Sequence, residues 1–388
     1  MQRGLTGRYE TTSVGPEVVR AFVPMPLPPR PRLDLAGPLQ QLLESAALAL
    51  GRLDAFSTLL PDETLFLYSC VRKEAVLSAQ IEGVQSTLAD LLLFELEEAP
   101  GVPLDDVREV ANYVAAIHHG LHCLREDIPL SNRLLRETHR VLLSGGPGHT
   151  KTPGEFRRSQ NWIGGTRPSN AVFVPPPHIV LPECMTAFER FLHAEDDGLP
   201  ALLRAGLAHV QFESIHPFLD GNGRLGRLLI TLLLCHAGIL REPLLYLSLY
   251  FKQHRSDYYS LLNHVRLTGD WEEWLAFFLE GVQQTAEGAF STAHRLARMV
   301  RKDRARVQAI SGRRAGSVVR VHHALAKRVL SSLSATSRDA GLSFSATSSA
   351  MDLLVTQGVA REITGRRRNR VFVYDQYLSI LNEGTEQT

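Results

Sequence analysis

The chain has 388 residues, 44% of them hydrophobic and 21% charged, which excludes a disordered or collagen-like protein and is typical of a soluble protein of two or three domains. The formal net charge is only +1, but it divides into −7 before residue 301 and +8 from there on. This asymmetry indicates a C-terminal part with a partner of its own, either a nucleic acid or an acidic protein surface.

Cysteine usage and hydropathy bear on the location of the protein. The four cysteines are widely scattered without C-x-x-C spacing, which indicates neither a disulfide framework nor a zinc site. The N-terminus lacks the apolar run of a signal peptide. The most apolar segment, Leu228–Leu240, is too short to span a bilayer and predicts a buried core helix. We therefore expect a cytoplasmic protein without membrane contact.

In chain order, the predicted elements are almost all helical. Repeated prolines in "VPMPLPPRPRLDL" disfavour helix and central strand, so the first forty residues are expected to form an extended arm. From Leu39, apolar residues three and four apart predict successive helices. The same pattern predicts helices over Asn132–Leu143, from Leu181, and over Leu202–Ile215.

Residues 156–174 have a different character. Two short strand-like runs, at Trp162-Ile163 and at residues 171–174, are separated by the turn sequence "GGTRPSN" and predict a small β-hairpin. After the buried helix that begins at Leu228, a long helical stretch over residues 270–308 is expected to connect two domains.

The C-terminal segment from about residue 314 has its own pattern. Helices are predicted over Val318–Leu333, over Ser337–Ala340 and over Ser345–Gln357, followed by two strand-like runs joined by the basic turn "GRRRNR". Three helices and a two-stranded wing are the elements of a winged helix-turn-helix. Wings of this kind bind DNA in some proteins and contact proteins in others, so both alternatives stay open.

The stretch "HPFLDGNGRLGR", residues 216–227, contains a formal match to the dinucleotide pattern G-x-G-x-x-G. That pattern requires a preceding strand in a parallel βαβ unit, whereas the residues before it predict a helix. A P-loop is excluded too, because no Gly-Lys-Ser/Thr follows. The match therefore does not indicate a dinucleotide cofactor.

The residues of this stretch nevertheless favour an anion site. Gly221–Gly223 predict a tight turn that opens into a helix, whose first backbone N–H groups can bind phosphate. Arg224 and Arg227 oppose the helix dipole, which is understandable if they pair with phosphate oxygens. His216, before a proline, is a candidate general base, and Asp220 is a hard oxygen ligand suited to magnesium. A zinc site built from His209, Glu213, His216 and Asp220 would leave both arginines unexplained.

At every specified position, residues 216–227 resemble the signature of Fic-domain proteins, H-P-F-x-[DE]-G-N-G-R-x-x-R. The stretches "GEFRRSQNWIGG" and "AVFVPPP" are similar to the flap of that family, and "RSDYYSLLNHVRLTGDWEEW" to its downstream helices. The resemblance implies a mainly α fold with a Fic-type helical core and a small β-hairpin flap, to which the pattern of the C-terminal segment adds a winged helix-turn-helix. It implies transfer of AMP from ATP to a Tyr, Thr or Ser hydroxyl of a target protein, with self-modification also expected.

The family motif assigns roles to residues of this chain. His216 is implied to be the base, Asp220 to hold Mg²⁺, and Arg227 to reach the γ-phosphate. Tyr258 falls where the family has a nucleotide contact, whereas Arg266 replaces an asparagine of some members and is not counted as one. Aromatic residues Trp162, Trp271 and Trp274 are expected to pack. The implied ATP-binding set is Glu82, Ile163, Gly164, Gly165, Thr166, Asp220, Gly221, Asn222, Gly223, Arg224, Leu225, Gly226, Arg227 and Tyr258.

A second stretch, "SAQIEG", resembles the inhibitory motif [ST]-x-x-x-E-[GN] of the same family, with Ser78, Glu82 and Gly83 at its specified positions. The resemblance implies that Glu82 pairs with Arg227 and keeps it from the γ-phosphate, in the same chain. We therefore predict an N-terminal arm and inhibitory helical region at 1–115, a catalytic domain at 116–282, a linker helix at 283–313 and a winged-helix domain at 314–388.

Several alternatives remain open at the level of the sequence. The same site could use another nucleotide such as UTP, transfer phosphocholine, phosphorylate, or remove AMP from a modified target. A different class is a transcriptional regulator whose core senses nucleotide while the winged helix, residues 314–388, binds DNA. The target protein is not readable from the sequence, and the oligomeric state, a homodimer included, is left open.

Overall fold

The computed structural model describes residues 1–57, 63–96, 103–194 and 198–385. These residues form a mainly helical structure with two small antiparallel sheets. The strands are β1 Gly7–Val14, β2 Glu17–Pro24, β3 Leu330–Ser332, β4 Arg361–Glu362 and β5 Val371–Val373. The helices are α1 Pro38–Ser57, α2 Glu63–Ile81, α3 Leu88–Glu95, α4 Leu104–Arg125, α5 Asn132–Leu142, α6 Leu181–Leu192, α7 Ala201–Ile215, α8 Asn222–His236, α9 Ser248–Gln253, α10 Arg255–Thr268, α11 Trp271–Ile310, α12 Ala315–Arg328, α13 Leu333–Ala340, α14 Phe344–Thr356 and α15 Asp375–Asn382.

The N-terminal residues differ from the prediction. Instead of a wholly extended arm, β1 and β2 form a hairpin paired from Gly7 opposite Pro24 to Val14 opposite Glu17. The sequence carries the signal in a turn at Gly15-Pro16 between two runs rich in Tyr, Thr and Val. The proline-rich residues between Pro24 and α1 lack regular structure, as the prolines require.

The core is built around α7 and α8, the two helices that carry the motif between them. Every residue of α7 from Leu202 to Ile215 except Arg204 is buried, and α8 is buried from Arg224 to Leu234. A helix that is buried on all sides needs neighbours all round. These neighbours include α4, α5, α6 and α11. The predicted buried helix is thus confirmed, although it ends at His236.

Helix α11 runs without interruption through the predicted boundary between the catalytic domain and a linker. It packs along α1, and its buried residues continue well beyond that boundary, to Ala293, Leu296 and Val307. Residues 283–310 are therefore part of the packed core and not a solvent-bridging connection. The three boundaries between the four predicted segments themselves remain predictions.

In the C-terminal region, helices α12, α13 and α14 accompany a sheet with strand order β3-β5-β4. Two details of the prediction were wrong. The first helix ends at Arg328 and not at Leu333, because Val329 adopts a positive φ of 64° and Leu330–Ser332 join the sheet. The wing consequently has a third strand. The winged helix-turn-helix itself stays a prediction for this region. Residues 386–388 of the predicted domain lie outside the described residues.

The end of the described chain returns to α2, the helix that carries the predicted inhibitory motif. Lys73 Nζ donates to the carbonyl of Glu383 at 2.8 Å, and Arg295 pairs with the Glu383 carboxylate through two bonds of 2.6 Å. The C-terminal region therefore packs directly on the inhibitory helix. Among the described residues, no helix has both the length and the apolar character needed to cross a membrane.

Candidate active site

His216 lies at the point where α7 ends. Its backbone is left-handed, with φ 49° and ψ 62°, and its N–H still bonds to the carbonyl of Phe212 at 2.8 Å. The following Pro217 cannot continue the helix. Arg157 fixes this corner, because its Nε donates to the carbonyl of His216 at 3.0 Å and its backbone N–H to that of Pro217 at 2.9 Å. The imidazole is thus held at a rigid helix end.

The His216 side chain is 18% exposed, and its Nδ1 has no hydrogen-bond partner among the described residues. Burial, aided by the positive charges of Arg157 and Arg266, lowers the pKa of His216 to about 3. The ring is therefore neutral at physiological pH and able to accept a proton. The nearest carboxylate, Glu213 Oε2, lies 4.0 Å from Nδ1, and burial raises the pKa of Glu213 to about 7.

The loop between α7 and α8 is pinned by Asn222 and His139. Asn222 Oδ1 accepts from the Phe218 N–H and its Nδ2 donates to the Phe218 carbonyl, both at 2.9 Å. His139 stacks on Phe218 with 3.7 Å between ring centroids. Its Nδ1 accepts from the Gly154 N–H at 2.8 Å, so its Nε2 carries the proton and donates to the carbonyl of Asp220 at 2.9 Å.

The membership of Asn222 in the ATP-binding set stays a prediction, because its amide has a second Nδ2 N–H beyond the pairing with Phe218. The side chain itself is buried and bonded to Phe218 through Oδ1 and Nδ2. It acts on the site by fixing the loop in which Asp220 and the glycines lie. The backbone N–H groups of the first turn of α8 remain the anion-binding groups, since the first N–H groups of a helix lack intrahelical acceptors.

A cavity of about 400 Å³ opens at the N-terminus of α8. Its walls include His216, the turn Gly221–Gly223 and Arg224 from the motif, and Glu82 and Glu109 from α2–α3 and α4. The catalytic candidate, the helix N-terminus and the inhibitory candidate thus share one cleft, as the sequence motif implied. The size is sufficient for a nucleotide-sized ligand.

Arg224 lies at the side of this cleft, with a nearly buried guanidinium. Its Nη1 pairs with Glu109 Oε2, and its Nη2 lies 3.6 Å from Asp220 Oδ1. Burial raises the pKa of Glu109, against the opposing effect of Arg224. The Nε atom of Arg224 is buried and has no hydrogen-bond partner among the described residues.

Arg227 is held by two of the three predicted inhibitory residues, Ser78 and Glu82. Its Nη2 pairs with Glu82 Oε1 at 2.8 Å, its Nε donates to Ser78 Oγ at 2.9 Å, and Nη2 also donates to the Ser78 carbonyl at 2.9 Å. The guanidinium is 2% exposed and the Glu82 side chain 38%. Burial lowers the pKa of Arg227, but the Glu82 carboxylate together with Tyr258 and Tyr259 acts in the opposite direction, and the net effect raises it. The predicted pair is therefore present in this structure.

The Glu82 carboxylate also lies close to Gly223, in the turn Gly221–Gly223 that is expected to bind phosphate. A Cβ placed at Gly223 would collide with Glu82 Oε1 and come within 3.1 Å of Arg227 Nη1. Only glycine fits at this position while the pair is formed. Gly83, which follows Glu82 in the inhibitory motif, has a φ of 95°, which glycine adopts without strain.

Apart from the flap residues, three residues of the predicted ATP-binding set face the core and not the cleft. Leu225 is fully buried, and a Cβ at Gly226 would meet Glu213 Oε1 at 2.5 Å, so both face the core. Tyr258 is 1% exposed, and its hydroxyl donates to His209 Nε2 at 2.8 Å. Tyr258 is thus a packing residue in this structure, as are Trp271 and Trp274, whereas Trp162 is 37% exposed and not the packing residue expected.

The predicted flap is present in reduced form. One antiparallel bridge joins Ile163 to Phe173, with Gly164 and Gly165 at positive φ of 67° and 72° between them. A Cβ at Gly165 would collide with the Asn170 carbonyl, so the turn depends on glycine. The Phe22 N–H of β2 bonds to the carbonyl of Val174 at 2.8 Å, which braces the flap from the N-terminal hairpin. Ile163–Thr166 do not line the cavity described above.

The zinc arrangement considered for the motif is not formed. His209 Nδ1 bonds to the carbonyl of Gly226 at 3.0 Å and its Nε2 to Tyr258, so neither ring nitrogen is available. Arg266, which replaces the family asparagine, is buried and donates to Ser214 Oγ at 3.1 Å. Its charge contributes to the low pKa of His216.

Sequence reasoning missed three residues that organise the cleft. Glu109, His139 and Arg157 lie 59 or more residues before the motif residues that they contact. Arg157 lies in the "GEFRRSQNWIGG" stretch, so the flap resemblance pointed to its neighbourhood without a role. Nothing in the local pattern around Glu109 or His139 distinguishes them from other helix residues.

Comparison with known proteins bears directly on this site. The family described as "Fic/DOC family" matches residues 129–234, and "Fic/DOC family N-terminal" matches residues 40–122. This region is a Fic domain. The catalytic motif falls inside the first match and the inhibitory motif inside the second.

Curated relatives and solved structures carry the same domain. Proteins named "Protein adenylyltransferase Fic" from Drosophila sechellia and Drosophila melanogaster are each 33% identical over 215 residues, 54% of this chain. The chain spans about 40% of the length of these relatives. A Fic family protein from Desulfovibrio desulfuricans G20 matches with a TM-score of 0.59 at 20% identity, over 89% of this chain and 98% of its own. Fic-1 from C. elegans (residues 134–508) matches with a TM-score of 0.51 at 23% identity, over 67% and 73%. At these identities the structures establish the fold of the Fic domain and no more.

Magnesium is the metal that the Fic family implies for this cleft. The Asp220 carboxylate is 42% exposed at the cavity, beside the turn that would carry phosphates, and Glu109 adds a second carboxylate to the wall. Hard carboxylate oxygens with room for water and phosphate ligands are the donor set that Mg²⁺ prefers. The residues present therefore fit a magnesium ion held by Asp220 and the substrate.

Proposed function

We propose that this chain is a protein adenylyltransferase, which transfers AMP from ATP to the hydroxyl of a Tyr, Thr or Ser side chain of a target protein. The observation that carries the proposal is the neutral imidazole of His216, held beside a helix N-terminus that also bears Arg224 and Arg227. A base next to an anion site is the arrangement needed for attack of a hydroxyl on a phosphorus.

In the proposed reaction, a ring nitrogen of His216 takes the proton of the target hydroxyl as the oxygen attacks the α-phosphorus. A new P–O bond forms to the target. The bond between the α-phosphorus and the oxygen that bridges to the β-phosphate breaks, and pyrophosphate leaves with the electron pair. The imidazolium that results lies 4.0 Å from the Glu213 carboxylate, measured from Nδ1, which favours the charged ring when Glu213 is ionised.

The phosphates would lie over the first turn of α8. Backbone N–H groups there and the guanidinium of Arg224 would bind their oxygens, and Arg227 would bind the γ-phosphate once released from Glu82. Magnesium, when bound with ATP, neutralises charge on the phosphates and supports departure of pyrophosphate. Asp220 would hold it, and His139 would position Asp220 through its carbonyl.

We further propose that the chain inhibits itself through Glu82. The carboxylate occupies the Arg227 nitrogen that the γ-phosphate would use, and it lies against Gly223 of the phosphate turn. A γ-phosphate entering there loses one cationic partner and meets a negative charge. ATP would then bind with its α-phosphate out of line with the hydroxyl, which suppresses transfer.

The test is mass spectrometry of the Glu82→Gly protein after incubation with ATP and magnesium. We expect an adduct of one AMP on the protein itself or on an added target, and no adduct when His216→Ala is combined with Glu82→Gly. A phosphate adduct from ATP in place of AMP, or an adduct of UMP or phosphocholine from its own donor with none from ATP, would replace adenylylation by that chemistry. No adduct from any donor would contradict the enzyme proposal.

A second proposal concerns DNA binding by the C-terminal region. The loop between β4 and β5 exposes three consecutive arginines, Arg366–Arg368, at the tip of the wing, and α14 presents Ser345, Ser348 and Ser349 beside Arg314. Phosphate contacts of this kind weaken steeply with salt. We expect retention on duplex DNA at low salt that falls on combined substitution of the three arginines by alanine. Absence of retention at low salt, or retention unchanged by the substitutions, would exclude this role.

A further inference from the structure

A second group of chemically reactive side chains lies between α4 and α5, apart from the cleft. His119 and Cys123 are one helical turn apart on α4, and Glu137 faces them from α5. None of the three lines the cavity at the N-terminus of α8. Glu137 and His139 are two residues apart on α5, which places their side chains on opposite sides of the helix. The group is therefore independent of the loop that His139 holds.

The distances within this group suit one metal ion. Cys123 Sγ lies 3.8 Å from His119 Nε2, and His119 Nε2 lies 3.9 Å from Glu137 Oε2. All three ligand atoms lie within 4.8 Å of one another. Bonds of about 2.0–2.3 Å to a tetrahedral zinc separate neighbouring ligand atoms by roughly 3.3–3.8 Å. Small rotations of the side chains would close the remaining gap.

The chemistry of the ligands favours zinc over magnesium or calcium. A thiolate and an imidazole are borderline-soft ligands, and one carboxylate completes a set that Zn²⁺ commonly uses. Thiolate and carboxylate together balance the charge of a divalent ion. Arg133 donates to Glu137 Oε1 at 2.8 Å, which orients the carboxylate with Oε2 toward His119. An outer partner of this kind is typical of ligating carboxylates.

The other grouping of this type in the described residues is weaker. His264, Asp270 and Glu273 also lie together, but Asp270 already caps α11 through the Glu273 N–H and pairs with the N-terminal amine. In contrast, the Cys123 thiol has no partner that a metal would have to displace other than His119, which is itself a ligand.

We propose that His119, Cys123 and Glu137 form a zinc site with an open fourth position for water. On binding, the Cys123 thiol gives its proton to solvent and its sulfur becomes a ligand as thiolate. The ion would join α4 to α5, two helices connected by a short loop, close to the surface. It would act as a structural link outside the ATP cleft.

The test uses metal-free full-length protein titrated with Zn²⁺ and with Co²⁺ as a spectroscopic probe. We expect one equivalent bound and a thiolate-to-cobalt charge-transfer absorption. Loss of an outer-shell partner commonly lowers metal affinity 10–100-fold, so loss of a ligand through His119→Ala should lower it at least about 100-fold. Cys123→Ser should abolish the charge-transfer band.

Two matched controls separate this site from adventitious binding. His122→Ala changes an exposed histidine on the same helix, and Cys235→Ser changes a half-buried thiol elsewhere; both should leave affinity and absorption unchanged. Since His119 is one-third exposed, its variant is expected to fold, which circular dichroism would check. A band that survives Cys123→Ser, affinity unaffected by His119→Ala, or no binding at micromolar metal would overturn the proposal.

Discussion

Replacement of Glu82 by glycine should release Arg227 and activate the enzyme. The carboxylate holds Arg227 Nη2 at 2.8 Å, and the arginine is 2% exposed. A hydrogen bond that involves charged groups contributes about 1.5–3 kcal/mol. Because Glu82 itself is 38% exposed, solvent screening places this pair at the lower end, about 1.5 kcal/mol. That alone corresponds to about a tenfold gain in the fraction of Arg227 available to the γ-phosphate.

Electrostatic repulsion between Glu82 and the γ-phosphate adds to the free energy of the Glu82–Arg227 pair. Glu82 lies beside Gly223 and pairs with Arg227, so a γ-phosphate that approached Arg227 would come close to the carboxylate. Two like unit charges about 4 Å apart near a protein surface repel by up to about 4 kcal/mol. We therefore expect Glu82→Gly to raise the rate of AMP transfer at least about tenfold, and Glu82→Gln, which keeps the shape without the charge, to raise it less.

The assay is self-labelling with radiolabelled ATP under initial-rate conditions. Ser78→Ala is the matched control, because it removes the 2.9 Å bond to Arg227 Nε but leaves Glu82 in place. It should change the rate much less than Glu82→Gly. Arg227→Ala combined with Glu82→Gly should lose the gain. A Glu82→Gly rate within about threefold of the unmodified protein, in a preparation whose labelling still requires His216, would refute this reasoning.

Three further outcomes follow from the site, each measured in the Glu82→Gly background or on the folded protein. Burial raises the pKa of Glu213 to about 7, so its carboxylate supports the His216 imidazolium only above that pH. The single-turnover rate should therefore rise through pH 7. Glu213→Gln should flatten this pH profile, and an unchanged profile would argue against this role. Asn222→Ala leaves the Phe218 N–H and carbonyl unpaired, at a cost of about 1–3 kcal/mol for each buried group, and should lower the thermal midpoint, which a differential scanning experiment would detect. His139→Ala removes the donor to the Asp220 carbonyl and should lower kcat about tenfold or more with a smaller effect on KM for ATP; a KM effect alone would contradict the positioning role.

The site residues that are adjacent in the sequence could be predicted from the sequence. Contacts between residues far apart in the sequence could be predicted only where a known motif marked them. Residues 216–227 needed no tertiary information, because a helix end, a glycine turn and a helix start follow from local chemistry. The contact of Glu82 with Arg227 joins residues 145 positions apart, and it was predictable only through the "SAQIEG" resemblance. Glu109, His139 and Arg157 make contacts over comparable separations without such a motif, so the sequence alone could not assign them.

The fold, like the site, was predictable where the pattern is local and repeated, and less so where single residues or distant contacts decide. Long amphipathic or buried helices were predicted well, because their periodic pattern extends over many residues. Short strands failed where one residue decided the outcome: the positive φ of Val329 turned the end of a predicted helix into β3. Tyr258 was misplaced because aromatic residues at helical spacing serve either packing or binding, and only the His209 partner settles which.

The competition between Glu82 and the γ-phosphate for Arg227 is tested most directly by comparing the affinities of ATP and ADP. The measurement is calorimetric titration of both nucleotides, with magnesium, into proteins that carry His216→Ala to prevent turnover, with and without Glu82→Gly. ADP lacks the γ-phosphate, so its affinity should change by less than about twofold, whereas ATP should bind about tenfold or more tightly once Glu82 is removed. Equal changes for ATP and ADP, or no change for either, would contradict the competition.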